Sequence, residues 1–137
     1  MVRPSGVPLL LFHGLWTEPS QLQGRSVAEA RYWLEARVFR EQMRYLAARG
    51  YTAVTLKELL SPNAHAITKP IVLTFDDGWG SDWKIATPIL QRFGWKAEFF
   101  VTTEWIGQPG FMTWTEVREA ARVGMGIQSH SLSHPDL

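Results

Sequence analysis

Three groups of ionisable side chains each follow a short apolar segment of the chain. They are His13 after VPLLLF (7–12), Asp76 and Asp77 after PIVLTF (70–75), and His130 with His134 after MGIQ (125–128). Together they supply imidazole nitrogens and carboxylate oxygens, which bind divalent metal ions and transfer protons. The chain has no cysteine, so any metal site in it must use nitrogen and oxygen ligands.

Asp77, His130 and His134 form a set that could bind one divalent ion. Two imidazoles and one carboxylate can occupy one face of the ion and leave positions for water and substrate. The four-residue spacing of the histidines suits one helical turn, or a tight loop, with both rings facing the ion. Each motif alone also fits an ordinary structural role, a helix start for the histidines and a turn for Asp-Asp-Gly. Their coincidence at the ends of strands favours the metal site.

Hydrolysis at such a site needs one group that takes a proton and another that donates one. We expect Asp76 to be the base, because it is adjacent to the ligands and is not needed as one; alternatively, it orients a ligand histidine. We expect His13 to be the general acid, since an amine leaves poorly unless it is protonated. Alternatively, His13 caps the loop backbone at the end of its strand.

The seven tryptophans are many for a chain of 137 residues, and aromatic faces are suitable platforms for the C–H faces of sugars. We expect most of them in the core. Trp79 and Trp16 each lie just beyond an ionisable group, so we predict that these two contact the substrate. Trp114 follows a predicted helix cap and is expected to be structural.

The elements that must position these side chains are expected to be strands of a parallel sheet. Apolar and β-branched segments predict five strands, at 7–12, 51–54, 70–75, 97–101 and 125–128. These strands alternate with helices, which is typical of a parallel sheet that is either open or closed into a barrel. In both arrangements the carboxyl ends of the strands meet at one face, so the ionisable groups can share a cleft.

Four helices are predicted between the strands. The first spans 35–49, where apolar residues recur on one helical face and Gly50 can form a left-handed cap. The second and fourth begin at Thr55 and Thr113, each with a glutamate three residues later, and the third runs toward Phe93. The segments 16–32 and 61–69 are predicted to be loops, the first of them functional and the second containing a solvated histidine, His65.

The composition is typical of one globular domain, with 45% hydrophobic and 20% charged residues. A formal charge of +1 leaves no basic field for nucleic acid or for an anionic membrane surface. The apolar segment 7–12 is too short for a transmembrane helix or a signal-peptide core, so we interpret it as a strand.

Two of these motifs resemble those of a known family. LTFDDG (73–78) is similar to the TFDDG motif, and SHSLSHP (129–135) to the H(S/T)xxH motif, of the polysaccharide deacetylases in carbohydrate esterase family four, the NodB homology domain. The intervening FGWKAEFFVTTEWIGQPGFMTW is also similar to the family's pattern. The resemblance implies a distorted (β/α)7 barrel, of which about five β/α units are present. It also implies that Asp76 is the base and that Asp77, His130 and His134 hold zinc or a related divalent ion.

The amino-terminal part, with LLLFHGL and RGYTAVTL, resembles the branch that acts on poly-N-acetylglucosamine, in which the order of the motifs is permuted. Leu11-Phe12-His13 then resembles the LxH motif, which supplies the general acid. The family's later motifs, including an arginine that orients the base and an aromatic residue of the groove, have no match here. We therefore expect 1–137 to be a single domain that is incomplete at its C-terminus.

The resemblance implies a metal-dependent hydrolase that removes N-acetyl groups from a carbohydrate polymer, in the cell envelope or outside the cytoplasm. One alternative is an O-acetyl esterase that acts on acetylated glycans. The same residues could catalyse ester hydrolysis with less need for a general acid. Another is an inactive carbohydrate-binding fragment. A third is a non-haem iron oxygenase, which shares the ligand set, although such sites usually occur in double-sheet β folds.

Overall fold

The structure is a computed structural model that describes residues 6–135, and a parallel sheet lies at its centre. The strands in these residues are β1 (Leu9–Phe12), β2 (Leu15–Trp16), β3 (Leu34–Glu35), β4 (Thr52–Ala53), β5 (Pro70–Asp77), β6 (Glu98–Val101) and β7 (Gly126–Ser129). Five of them form one sheet in the order β1–β5–β6–β7, with β4 paired to the start of β5, and every pair is parallel. These five are the predicted strands, and the predicted α/β fold class is confirmed.

Helices connect the strands at most of the predicted places. They are α1 (Val27–Ala30), α2 (Ala36–Ala48), α3 (Leu56–Leu59), α4 (Thr87–Gln91) and α5 (Trp114–Arg122), with short 3-10 turns at Pro19–Leu22 and Ala64–Ala66. The helices α2, α3 and α5 match the predicted ones closely. Within residues 6–135, no helix has both the length and the apolar character needed to cross a bilayer.

The predicted helix ends are confirmed by their hydrogen bonds. The side chains of Thr55 and Thr113 accept hydrogen bonds from the backbone N–H groups of Glu58 and Glu116, and each glutamate accepts one in return. These capping boxes satisfy N–H groups that the first helical turn leaves without partners. Gly50 has a φ of +78°, the left-handed conformation expected after the end of α2.

The core forms where the central strand β5 meets its neighbours and α2. Residues 71–75 of β5 are buried, because β5 has strands on both edges and apolar packing against its faces. The ring of Phe75 contacts Phe39 of α2 and Phe99 of β6, with centroids 5.8 and 5.5 Å away. This packing fixes the position at which β5 ends, and so the position of the two aspartates.

Buried Glu98 connects three elements of the fold. Its carboxylate accepts hydrogen bonds from the backbone N–H of Leu56 at 2.6 Å and from Nε2 of Gln128 at 2.7 Å. A buried carboxylate is costly unless it is hydrogen-bonded, and these two bonds offset that cost. Glu98 therefore ties β6 to the start of α3 and to β7, the strand that leads to His130.

The segment 16–32, predicted to be a functional loop, also contains short regular elements that were not predicted. β2 pairs in parallel with β3, with Leu15 opposite Leu34, and the intervening chain includes α1. These elements are two to four residues long, which is too short for hydrophobic periodicity to indicate them. The 61–69 prediction fits better: His65 is exposed, and its Nδ1 contacts the Pro62 carbonyl.

The third predicted helix has an irregular start. The residues before α4 form a π-helical segment, Asp82–Ala86, and Pro88 lies in the first turn of α4. Pro88 has no N–H to donate to a carbonyl one turn earlier, so an ordinary α-helical pattern cannot run through it. The hydroxyl of Thr87 donates instead to the Asp82 carbonyl at 2.8 Å.

Candidate active site

The ionisable groups predicted to meet do lie at one edge of the sheet. His13 directly follows β1, Asp77 is the last residue of β5, and His130 directly follows β7. Because these strands are parallel, their carboxyl ends lie on the same edge. His134 returns to this edge through a loop, which was the second of the two conformations that its spacing allowed.

Three side chains present ligand atoms to a common point. Oδ1 of Asp77 lies 3.6 Å from Nε2 of His130 and 3.8 Å from Nε2 of His134, and one ligand atom of each residue lies within 4.8 Å of the others. Two ligands at zinc distances in a tetrahedral arrangement would lie about 3.4 Å apart. Oδ1 of Asp77 is buried and has no hydrogen-bond partner among the described residues, which is costly without a cation. The three residues therefore fit a divalent ion.

The backbone at this edge is strained. Asp77 and His134 have φ values of +78° and +55°, and Ser131 between the histidines has +68°. Such conformations cost about 1–3 kcal/mol each in non-glycine residues and are concentrated at functional sites. Gly78 also has a positive φ, and a Cβ there would lie 3.0 Å from Ile106. The turn after β5 therefore aims the Asp77 side chain at the cost of local strain.

Thr102 links the two halves of the candidate metal site. Its backbone N–H donates to the Asp77 carbonyl, and its hydroxyl donates to the His130 carbonyl, each at 3.3 Å. The N–H of His130 donates to the Val101 carbonyl at 2.9 Å. Thr102 is fully buried, so these bonds are shielded from water. Thr102 could not be identified from the sequence, since a threonine after a strand carries no motif that distinguishes it.

The loop that carries His134 is held in place by hydrogen bonds and by aromatic stacking. Ser131 Oγ accepts a hydrogen bond from the His134 N–H at 2.9 Å, and the Glu104 N–H donates to the Leu132 carbonyl at 3.0 Å. The indole of Trp105 stacks on the His134 ring, with centroids 5.3 Å apart. Trp105 is a further residue that the sequence analysis did not assign to the site.

Asp76 lies beside the three candidate ligands without being one of them. Its Oδ2 is 4.0 Å from Nε2 of His130. Burial raises the pKa of Asp76, and repulsion by Asp77 acts in the same direction. Attraction to His130 and His13 acts in the opposite direction. A carboxylate with a raised pKa is a stronger base, and a nearby cation would keep it ionised.

His13 lines the same cleft as Asp77, although it comes from the amino-terminal part of the chain. Its imidazole is half-buried and packs against the ring of Tyr32, with centroids 4.9 Å apart. The cleft has a volume of about 280 Å³ and is walled mainly by aromatic side chains. They are Tyr32, Trp33, Trp79, Trp105 and Phe111.

The structure brings Trp79 into this cleft but does not bring Trp16 there. Trp16 is half-buried and is absent from the cleft lining. The indole of Trp33 packs against Gly14, directly after His13, and lines the cleft instead. Trp114 is 48% exposed at the start of α5 and lies outside the cleft lining.

A guanidinium group completes the aromatic wall. The guanidinium carbon of Arg25 lies 3.7 Å from the ring centroid of Trp33 and 4.6 Å from that of Trp79. Burial lowers the pKa of Arg25, with the negative charge of Glu29 acting in the other direction. Cation–π contacts of this kind are worth about 0.5–2 kcal/mol and hold the rings in place.

A larger cavity lies away from these groups. It has a volume of about 650 Å³, opens between β1 and α2, and is lined largely by apolar side chains such as Leu11 and Val38. It contains none of the candidate metal ligands or proton-transfer groups. The smaller cleft at the strand ends is therefore the candidate active site.

Comparison with known families gives one match that covers more than half of the chain. Residues 64–137 match the family model described as polysaccharide deacetylase. This region contains Asp76, Asp77, His130 and His134. The match favours a hydrolase over the oxygenase alternative.

Two relatives show how far the similarity extends. YxkH of Bacillus subtilis (strain 168), which carries a polysaccharide deacetylase name, is 29% identical over 98% of this chain and 46% of its own length. The poly-beta-1,6-N-acetyl-D-glucosamine N-deacetylase of Escherichia coli (strain K12) is 35% identical over 61% of this chain and 15% of its own length. The chain thus spans less than half the length of these two relatives.

Solved structures with the same fold include a deacetylase, PplD, from Streptococcus pyogenes, determined in complex with acetate. It superposes with a TM-score of 0.79 at 27% identity, over 98% of this chain and 60% of that one. IcaB from Ammonifex degensii superposes with a TM-score of 0.66 at 26% identity, over 92% and 53% of the two chains. The parallel α/β arrangement is therefore that of a (β/α)-barrel family, as expected from the sequence.

Proposed function

The chain belongs to the polysaccharide deacetylase family, and on that premise we propose that it removes N-acetyl groups from a polymer containing N-acetylglucosamine. The hydrolase class follows from the family. The N-acetylglucosamine substrate is supported by the name of the Escherichia coli relative, which matches 61% of this chain. The metal dependence and the residue roles rest on the geometry of the site.

One observation carries the proposal. The buried Oδ1 of Asp77 lacks a hydrogen-bond partner among the described residues and faces Nε2 of both His130 and His134. A carboxylate oxygen and two imidazole nitrogens suit zinc, so we propose zinc as the ion. When bound, a divalent ion would act as a Lewis acid toward the acetyl oxygen and lower the pKa of a water molecule.

Asp76 and His13 would divide the proton transfers between them. Asp76 would accept a proton from the attacking water, and its position beside His130 puts its carboxylate at the edge of the candidate metal site. His13 would donate a proton to the nitrogen as the carbon–nitrogen bond breaks. The products would be acetate and a free amine on the sugar.

The aromatic wall would hold the sugar. Flat indole faces can pack against the C–H faces of a pyranose ring, and Trp79 and Trp105 both line the cleft beside Asp77. His13 and Tyr32 line the same cleft as Asp77, so the proposed acid would face the space in which the sugar binds. We propose no role in substrate binding for Trp16.

Acetate release from a β-1,6-linked N-acetylglucosamine oligosaccharide tests the proposal. Zinc-loaded protein should release acetate, a chelator should stop the release, and added zinc should restore it. Asp76→Asn serves as the matched control, because it removes the base and keeps the three proposed ligands. Faster release from an O-acetylated xylan would assign the esterase alternative, and glycan binding without any acetate release would assign the binding-fragment alternative.

A further inference from the structure

Trp79 makes a direct contact with one of the proposed metal ligands. Its indole Nε1 donates a hydrogen bond of 3.2 Å to Oδ2 of Asp77. The other oxygen of the same carboxylate, Oδ1, is the buried atom without a partner among residues 6–135, and it faces the two histidines. The two oxygens of Asp77 thus have different neighbours, one a tryptophan N–H and the other the proposed metal site.

A hydrogen bond to one carboxylate oxygen fixes the direction of the other. The indole N–H is a donor only, so it can bind the Asp77 carboxylate but can neither accept a proton from it nor bind a cation. Groups that hydrogen-bond a metal ligand restrict its rotation, and their loss typically weakens metal affinity. Trp79 therefore has the chemistry of a residue that orients a ligand.

The indole of Trp79 is itself held firmly. It stacks on the ring of Phe111, with centroids 4.2 Å apart and an angle of 20° between the planes. A backbone bridge joins the same two residues, and the Gly80 N–H donates to the Gly110 carbonyl at 2.9 Å. The rings of Trp79 and Trp33 also pack against each other, with centroids 4.9 Å apart and an angle of 71° between the planes. With two aromatic neighbours, the Trp79 ring has little freedom to turn its N–H away from Asp77.

We infer that Trp79 is a positioning residue for the metal ligand Asp77, through which it raises the affinity of the site for a divalent ion. This role differs from the substrate contact expected from the sequence, and the two can coexist, since the N–H bonds Asp77 while the side chain also lines the cleft. The inference rests on the proposed function, because it takes Asp77 to be a ligand.

Zinc affinity measured against a chromophoric chelator tests the inference without any substrate. Trp79→Phe keeps an aromatic ring against Phe111 but loses the N–H donor, and its zinc dissociation constant should rise about 10- to 100-fold. Trp114→Phe is the matched control, because Trp114 is 48% exposed and lies outside the cleft lining. Trp114→Phe should bind zinc about as tightly as the wild type.

A change of a single atom separates the hydrogen bond from the size of the ring. Replacing Trp79 with 3-benzothienylalanine exchanges the N–H for sulfur and preserves the bicyclic shape. This protein should bind zinc as weakly as Trp79→Phe does, and its cobalt-substituted form should show an altered visible spectrum, which reports the ligand geometry. A purely structural role for Trp79 would leave both readouts at the wild-type level.

The outcomes separate this inference from the proposed function. Zinc binding by the wild type with equal affinity in Trp79→Phe or the benzothienyl protein would overturn the inference and leave the metal site standing. A wild-type protein that does not bind zinc would overturn both. If Trp79→Phe does not fold, as judged by circular dichroism, the benzothienyl protein decides the question alone.

Discussion

Oδ1 of Asp77 and Nε2 of His130 lie 3.6 Å apart, and no protein hydrogen bond satisfies the buried Oδ1 within residues 6–135. Their backbones are joined through Thr102, which donates one hydrogen bond to each residue's carbonyl. The sheet therefore holds a carboxylate and an imidazole at a separation that one cation can bridge. Removing either side chain should destroy the proposed site while leaving the sheet beneath it intact.

Asp77→Ala should abolish retention of zinc. The substitution removes the carboxylate and leaves two imidazoles, one of them on an exposed residue, His134. Zinc content after dialysis, measured by mass spectrometry, checks this outcome. Equal zinc content in Asp77→Ala and the wild type would refute the assignment of Asp77 as a ligand.

Asp76→Asn should keep zinc and lose turnover. The new amide would have nearly the same shape as the carboxylate, but it could not accept the proton that the proposed base must take. Acetate release should fall by about 10²- to 10⁴-fold, the usual contribution of general acid–base catalysis. The assignment of Asp76 as the base is wrong if this variant retains the wild-type rate with zinc bound.

His13→Gln should slow amide hydrolysis far more than ester hydrolysis. An amine leaves poorly without a proton, whereas 4-nitrophenolate leaves readily as the anion, so only the amide needs the acid. We expect acetate release from the N-acetylated oligosaccharide to fall by about 10²- to 10⁴-fold, with little change on 4-nitrophenyl acetate. A loss of equal size on both substrates would indicate that His13 has a structural role only.

Gly14→Ala should displace the Trp33 side chain of the aromatic wall. A Cβ at Gly14 would lie 2.3–2.5 Å from three ring carbons of Trp33, so the indole would have to move. We expect a loss of about 1–3 kcal/mol in the free energy of unfolding, typical of overpacking, together with lower deacetylation. Denaturation by urea provides the first measurement and acetate release the second.

A double-mutant cycle tests whether Trp33 is the cause. Gly14→Ala in a Trp33→Leu background should cost much less than in the wild type, because the smaller side chain leaves space for the new methyl group. Additive losses in the double variant would mean that the clash with Trp33 is not the source of the instability.

Asp82→Asn should make the protein more stable at neutral pH. Asp82 is fully buried, one of its oxygens lacks a hydrogen-bond partner in the described chain, and burial raises its pKa well above the ordinary value. The native state therefore keeps the proton of Asp82 after the unfolded chain, with a pKa of about 3.9, has lost it. The stability that this proton contributes is complete below about pH 4 and is lost as the pH rises through the folded-state pKa.

Unfolding by urea across the pH range, in the presence of a chelator, measures this effect. The free energy of unfolding of Asp82→Asn, relative to that of the wild type, should rise with pH. The rise should be about 1.4 kcal/mol for each pH unit in which Asp82 is ionised in the unfolded chain but not in the folded protein. Glu41→Gln is a suitable control, because Glu41 is an exposed carboxylate paired only with exposed Arg44 among the described residues. A constant difference between Asp82→Asn and the wild type from about pH 4 to about pH 7 would contradict the prediction.

Much of the fold could be predicted because its signals are local. The segment before Asp76 is a nearly continuous apolar run, as expected for a strand that is covered on both faces. The ends of α3 and α5 follow from Thr55 and Thr113, each with a glutamate three residues later. β2, β3 and α1 could not be predicted, because two to four residues contain no measurable period.

The candidate site could be predicted in part, for the same reason. Aspartate and histidine indicate metal chemistry by their type, and their positions after strands indicate a common edge. Thr102 and Trp105 carry no motif that singles them out, and they join the site through tertiary contacts, such as those of Thr102 with His130 and of Trp105 with His134. Trp16 has the right type and a nearby position in the sequence, but Trp33, which lies just before β3, takes the place in the cleft lining.

The amino-acid sequence by itself determined the parallel α/β class, the family and the ionisable residues at the strand ends, since each depends on residue type and short-range spacing. Only the tertiary structure decided which oxygen of Asp77 faces the histidines and which accepts the Trp79 N–H. That choice depends on distances of a few ångströms between distant segments, and these distances are set by packing of the whole core, not by any local pattern.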